Sequence, residues 1–167
     1  MPLTVCFVGA PGIGKTQLLT SLTGTPSCDI GPTMGIEMRT WAFLQDGRQC
    51  RMRLWDVSGK TCFSNLLIAD VQYADITVVC YDTTAERDFV ELKKWMTIVE
   101  QAPNKQTLIF YGIIRDGQER KIMPADVVRV ADHAQHRRNL YSIVTVEGRV
   151  TDRYPLYEAL VVASRHI

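Results

Sequence analysis

The segment Gly9-Ala10-Pro11-Gly12-Ile13-Gly14-Lys15-Thr16 follows directly on an apolar run at residues 3–8 and fits the spacing GxxxxGK[ST]. That spacing commits the chain to a strand, a phosphate-holding turn and a helix, in that order. The glycines let the backbone curl with its N–H groups turned inward. Lys15 is placed to neutralise β- and γ-phosphates, and the Thr16 hydroxyl to ligate Mg²⁺. A helix opening at Lys15 aims the positive end of its dipole at the same oxygens. The expected nucleotide contacts of this segment are Gly12, Ile13, Gly14, Lys15, Thr16 and Gln17.

The rest of the chain alternates strand-like and helix-like patterns, the signature of an α/β protein with a mostly parallel sheet. Six segments read as strands: 4–8, 38–45, 49–56, 76–81, 107–114 and 140–146. The second and third are joined by Asp46-Gly47, a strong two-residue hairpin signal, and form an antiparallel edge. Helices are expected at 15–23, 86–101, 124–135 and 155–163. In the second of these, Phe89, Leu92, Trp95, Met96 and Val99 share one face, most simply a core face. With 167 residues, no repeats and no low-complexity linker, residues 1–167 read as a single domain.

Composition narrows the function classes. A net charge of +1 with both signs spread along the chain offers no basic stripe for nucleic acid. The five cysteines (Cys6, Cys28, Cys50, Cys62, Cys80) show no CxxC spacing and read as reduced thiols of a cytoplasmic protein. Neither a signal peptide nor an apolar run of membrane-spanning length is evident. The last residues, Ala163-Ser164-Arg165-His166-Ile167, include no cysteine to carry a prenyl group, so no lipid anchor is expected in this chain. Membranes would be reached through partners.

A second motif, Trp55-Asp56-Val57-Ser58-Gly59-Lys60, falls at the carboxyl end of the third strand. In open α/β sheets ligands lie at that edge, so Asp56 would face the Mg²⁺ beside the phosphate loop, through water. Gly59, in DxxG spacing after Asp56, is free to turn its N–H toward a γ-phosphate. Between the motifs, Thr33 in Gly31-Pro32-Thr33-Met34-Gly35 could close over the metal.

These residues, with Leu54-Trp55-Asp56 and Val79-Cys80-Tyr81-Asp82-Thr83-Thr84, resemble the Ras-superfamily small GTPases, most closely the Rab and Rab-like branch. The resemblance runs from Val5 to Ala163. It implies the P-loop small GTPase fold, with a mostly parallel six-stranded sheet, one antiparallel edge strand and helices on both faces. It also implies GTP and GDP as ligands with Mg²⁺, Thr33 and Gly59 contacting the γ-phosphate, and two loops ordered by the triphosphate. Those switch regions would be about 27–36 and 59–73. Effector proteins would read Ile36, Trp41, Trp55, Phe63 and Leu66, in intracellular or ciliary trafficking.

Departures from the family pattern are equally informative. Lys60 stands where most members carry the glutamine that orients the attacking water; lysine has no acceptor, so hydrolysis should be impaired unless Lys60 is merely an exposed loop residue. Pro11 removes one N–H from the phosphate loop. Some intraflagellar-transport-associated Rab-like proteins are similar in having lysine there and no lipidation cysteine. At the base pocket, where the family uses NKxD, this chain has Ile113-Ile114-Arg115-Asp116. Only Asp116 is left to read guanine, and Asp116-Gly117 equally fits an ordinary turn. The SAK-like segment is read at Val144-Thr145-Val146, and no aromatic residue lies between Lys15 and Thr33 to pack against the base.

The remaining signals are weak. His133 and His136 read as surface residues, Arg137-Arg138 as solvated charge and Asp82 as a strand-end cap. Two functions remain: a slow GTPase switch that recruits effectors, or a pseudo-GTPase adaptor that holds nucleotide weakly or without base preference. A P-loop kinase fits poorly because no arginine-rich lid insertion is present.

Overall fold

Runs that are apolar without alternation become strands covered on both faces, and three such runs form the centre of this sheet. The computed structural model describes residues 2–26, 35–57, 59, 64–134 and 140–167, with the backbone alone at 64–67. In chain order the elements are β1 (Leu3–Val8), α1 (Lys15–Thr23), β2 (Ile36–Gln45), β3 (Arg48–Val57), α2 (Ser64–Gln72), β4 (Ile76–Asp82), α3 (Glu86–Glu100), β5 (Gln106–Ile113), α4 (Pro124–Ala134), β6 (Leu140–Gly148) and α5 (Tyr154–Ser164). They build one six-stranded sheet in the order β2-β3-β1-β4-β5-β6. All neighbours are parallel except β2 and β3. The expected α/β class, with its antiparallel edge, is what the chain adopts. Asp46 and Gly47 turn the β2–β3 hairpin with φ of 51° and 76°, the doubly positive geometry that the Asp-Gly pair signals.

Alternation along β1 divides the core. Val5 and Phe7 point to one face, where Leu18, Leu19 and Leu22 of α1 and Leu156 and Leu160 of α5 cover them. Cys6 and Val8 point to the other, beneath Val71 of α2, Leu92 and Val99 of α3 and Val127 of α4. Cys6 and Cys80 are buried free thiols, and burial holds both in the neutral form. Cys28 and Cys62 lie outside the described residues. On α3, the expected face is observed, with Leu92, Trp95, Met96 and Val99 buried.

Two expectations are corrected. Trp41 does not join Ile36 and Trp55 on an effector surface. It is 8% exposed and stacks on Phe43 at 4.5 Å, edge-on to Tyr157 of α5 at 5.6 Å. Ile36 and Trp55 instead touch the opposite core. Positions 36 and 41 differ by an odd number, so one strand sends them to opposite faces. Replacing Trp41 with phenylalanine should therefore cost roughly 1–2 kcal/mol of stability through lost stacking and volume. Urea unfolding measures it, and an unchanged midpoint would place Trp41 outside the core.

The second correction concerns the last strand. β6 continues past residue 146 to Gly148, in register with β5 as Gly112↔Glu147 and Ile113↔Gly148. The segment beside the carboxyl end of β5 is therefore Glu147-Gly148-Arg149, not Val144-Thr145-Val146. A helix, α2, also occupies much of the region read from sequence only as a switch loop.

Candidate functional site

The carboxyl ends of β1, β3, β4 and β5 meet along one edge, and the phosphate loop leaves β1 there. Gly9 opens the loop with φ of 142°, and a Cβ on it would stand 2.4 Å from the Cys80 carbonyl oxygen of β4. Only glycine lets the loop pass that close to the neighbouring strand. Gly14, with φ of 104°, caps the start of α1 without a side-chain hydrogen bond. The helix's first N–H groups are thus not satisfied by a capping side chain, the arrangement that suits an anion.

Lys15 is 6% exposed. Its Nζ donates to the carbonyls of Gly9 at 3.0 Å and Ala10 at 2.9 Å, so the ammonium is held inside the ring of the loop. Burial lowers its pKa, with the nearby acidic groups Cys80, Asp56 and Asp88 acting in the opposite direction. Ile13 sends its side chain into the core and leaves its backbone to the loop, while Gln17 is exposed on the first turn of α1.

Next to Lys15, the Thr16 hydroxyl donates to Asp56 Oδ2. Asp56 is 1% exposed, and its other oxygen, Oδ1, is buried with no hydrogen-bond partner among the described residues. Burial raises the Asp56 pKa; the Thr16 bond and Lys15 pull it down. A hydroxyl and a carboxylate side by side, with one buried carboxylate oxygen unsatisfied, are a hard oxygen donor set that suits Mg²⁺. Gly59 comes so close to the phosphate loop that a Cβ there would stand 2.4 Å from Pro11 N. No side chain fits at that position. Thr33 and Lys60 lie outside the described residues, as do Phe63 and the side chain of Leu66.

The base end carries the residues read against the base motif. Ile113 is fully buried, and its carbonyl accepts from the Thr83 N–H at 3.2 Å and the Thr83 hydroxyl at 3.0 Å. Asp116 is exposed and paired through both oxygens with Arg149, at 2.8 Å each. The guanidinium pulls the Asp116 carboxyl below its ordinary range. Asp82 does cap its turn, accepting from Thr84 N at 2.8 Å and Thr84 Oγ1 at 2.6 Å. It also holds Arg115, a contact the sequence reading missed. Arg149 was missed as well, because the last strand was ended too early.

Fold and phosphate loop together are those of a P-loop protein of the α/β class. The sequence model of the Ras family matches residues 4–143, and the chain belongs to that family. Among similar proteins, Rab-12 of Mus musculus is 28% identical over 100 residues, 59% of this chain and 41% of that protein. RabQ of Dictyostelium discoideum is 30% identical over 106 residues, 62% of this chain and 52% of that protein. The Ypt/Rab-type GTPase Rab7 of Gibberella zeae is 34% identical over 94 residues, 56% of this chain and 46% of that protein. The chain spans about half the length of the curated relatives it matches. No helix among the described residues is long and apolar enough to cross a membrane.

Proposed function

We propose that this protein is a Mg²⁺-dependent nucleotide switch that binds GTP and GDP at the phosphate loop, hydrolyses triphosphate slowly and recruits effector proteins in intracellular or ciliary trafficking. The observation that carries this reading is the buried Lys15 ammonium, clamped by two loop carbonyls next to the Thr16–Asp56 pair. Lys15 would hold the β- and γ-phosphate oxygens, with the backbone of Gly12, Ile13, Gly14 and Thr16 and the side of Gln17 around them. Thr16 and, through water, Asp56 would hold Mg²⁺, which supplies charge neutralisation at those phosphates; Thr33 would join them in the triphosphate form. Gly59, against the loop backbone, would turn its N–H to the γ-phosphate.

Triphosphate and diphosphate differ in one phosphate, so a switch must register that group in segments 27–36 and 59–73. Hydrogen exchange should show stronger protection of both segments with a non-hydrolysable GTP analogue than with GDP. Equal protection in the two states sinks the switch. Slow turnover follows from Lys60, which has no acceptor with which to align water. Lys60→Gln should raise single-turnover hydrolysis several-fold, and no rise would place the bottleneck elsewhere.

One observation favours a second reading, a pseudo-GTPase adaptor. The positions that should fix guanine are taken by a core residue, Ile113, and by Asp116 already paired with Arg149. In that reading the fold serves partners whether or not nucleotide is bound.

A further inference from the structure

Two arginines at the base end of the site are left unused by the phosphate reading. Arg115 leaves the end of β5 and donates from Nε to Asp82 Oδ2 at 3.0 Å and from Nη2 to the Ile13 carbonyl at 2.7 Å. Asp82 is itself fixed, through Thr84 on one oxygen and through its own N–H, which donates to Asp88 Oδ2 at 2.8 Å. Arg149, just beyond β6, engages Asp116. We propose that these two arginines replace the missing base motif, so that the site takes purine nucleoside di- and triphosphates with little discrimination between guanine and adenine. This rests on the nucleotide-binding reading above.

Arg115 ties the phosphate loop to the end of β4, a link between positions 102 residues apart. It therefore presets the loop from the base side, work that Ile114 at the neighbouring position has no cation to do. A guanidinium is also flat and weakly hydrated, and offers a stacking face to a ring. Its remaining N–H groups have no partner among the described residues.

Selectivity for guanine requires acceptors aimed at its ring N–H and amino group. Both Asp116 oxygens accept from the Arg149 guanidinium, and the carboxylate is open to water, so a bond from it to a base would replace solvation and not be made in a desolvated pocket. A neutralised, solvated carboxylate cannot supply the selectivity, on the order of 10⁴-fold, of a site built to hydrogen-bond one substrate. What the rim offers instead is donors. N7 is an acceptor that guanine and adenine share, so a donor to it favours neither base.

The test is calorimetric titration of GDP and of ADP, each with Mg²⁺, into the whole chain and into R149A, R115A and R115K. The two dissociation constants should lie within about tenfold of each other in the unaltered protein, against about 10⁴-fold for a guanine-selective site. R149A, which frees Asp116, should raise the preference for GDP by about threefold to tenfold, the weight of one exposed charge-assisted contact. R115A should weaken both diphosphates alike by about tenfold, with R115K restoring part through one bond to the Ile13 carbonyl. Far-UV circular dichroism checks folding, and R115Q takes the place of R115A if that variant does not fold. A GDP preference beyond about 10³-fold, an unchanged ratio in R149A, or an R115A loss confined to one base overturns the proposal. Binding of neither diphosphate to the unaltered protein overturns it together with the nucleotide reading, whereas tight, guanine-selective binding overturns it alone.

Discussion

Lys15→Ala is expected to weaken binding of Mg²⁺-nucleoside di- and triphosphates by about 2–5 kcal/mol, roughly 30- to 5,000-fold. Lys15 is buried, and two carbonyls of the loop it serves already fix its ammonium. A polyphosphate bound there would meet a preset charge in a desolvated ring, and ordering the side chain would cost little at the moment of binding. Truncation removes the charge and leaves the Gly9 and Ala10 carbonyls facing the phosphates alone. Calorimetry on a variant with an unchanged circular dichroism spectrum reads the loss. Unchanged affinity would mean that nucleotide, if bound at all, sits elsewhere.

The second large effect has opposite signs for stability and for binding. Asp56 lies in a buried place where desolvation outweighs its bond from Thr16 and the attraction of Lys15, so its folded pKa is above the unfolded one. Such a group contributes stability that is fully present below its unfolded pKa, about 4, and is lost as pH rises through the folded value. Near neutral pH, well above the unfolded pKa, the nucleotide-free protein therefore holds this carboxyl at a cost to stability. Asp56→Asn should raise its melting temperature at pH 7 by about 2–4 °C, and the gain should shrink on acidification. The same change should reduce Mg²⁺ dependence of nucleotide affinity by about 10- to 100-fold, because a charged partner of the metal shell is gone. A lower melting temperature in the nucleotide-free variant would show that Asp56 is there to hold the fold.

Much of this was legible in the sequence, for physical reasons that differ from place to place. The phosphate loop and the Asp46-Gly47 hairpin could be read because each demands backbone angles that few residues adopt. Central strands could be read because burial on both faces leaves no polar alternation. Trp41 was legible too: its odd spacing from Ile36 on one strand sends it to the α1 and α5 side. Less could be seen at the base end. How far β6 runs is decided by pairing with β5, and its register is set across a shift at Gln106 and Thr107 that no local pattern marks. The bond from Arg115 to Ile13 joins positions 102 residues apart in sequence and depends on where two loops meet. A cation at the third position of the expected base motif, with aspartate at the end of β4, was the only available hint. Helix α2 was hidden because Leu66-Leu67-Ile68 is a short apolar run that suits strand and helix alike.

The most direct measurement is to purify the chain in Mg²⁺, denature it and identify the nucleotide it releases, with a parallel sample stripped by chelator. Purine nucleotide in near-equimolar amount, adenine as well as guanine, is expected, and is lost when Mg²⁺ is removed. A chain that releases none, and takes up neither GDP nor ADP at millimolar concentration, would contradict a phosphate site at Lys15 and Thr16.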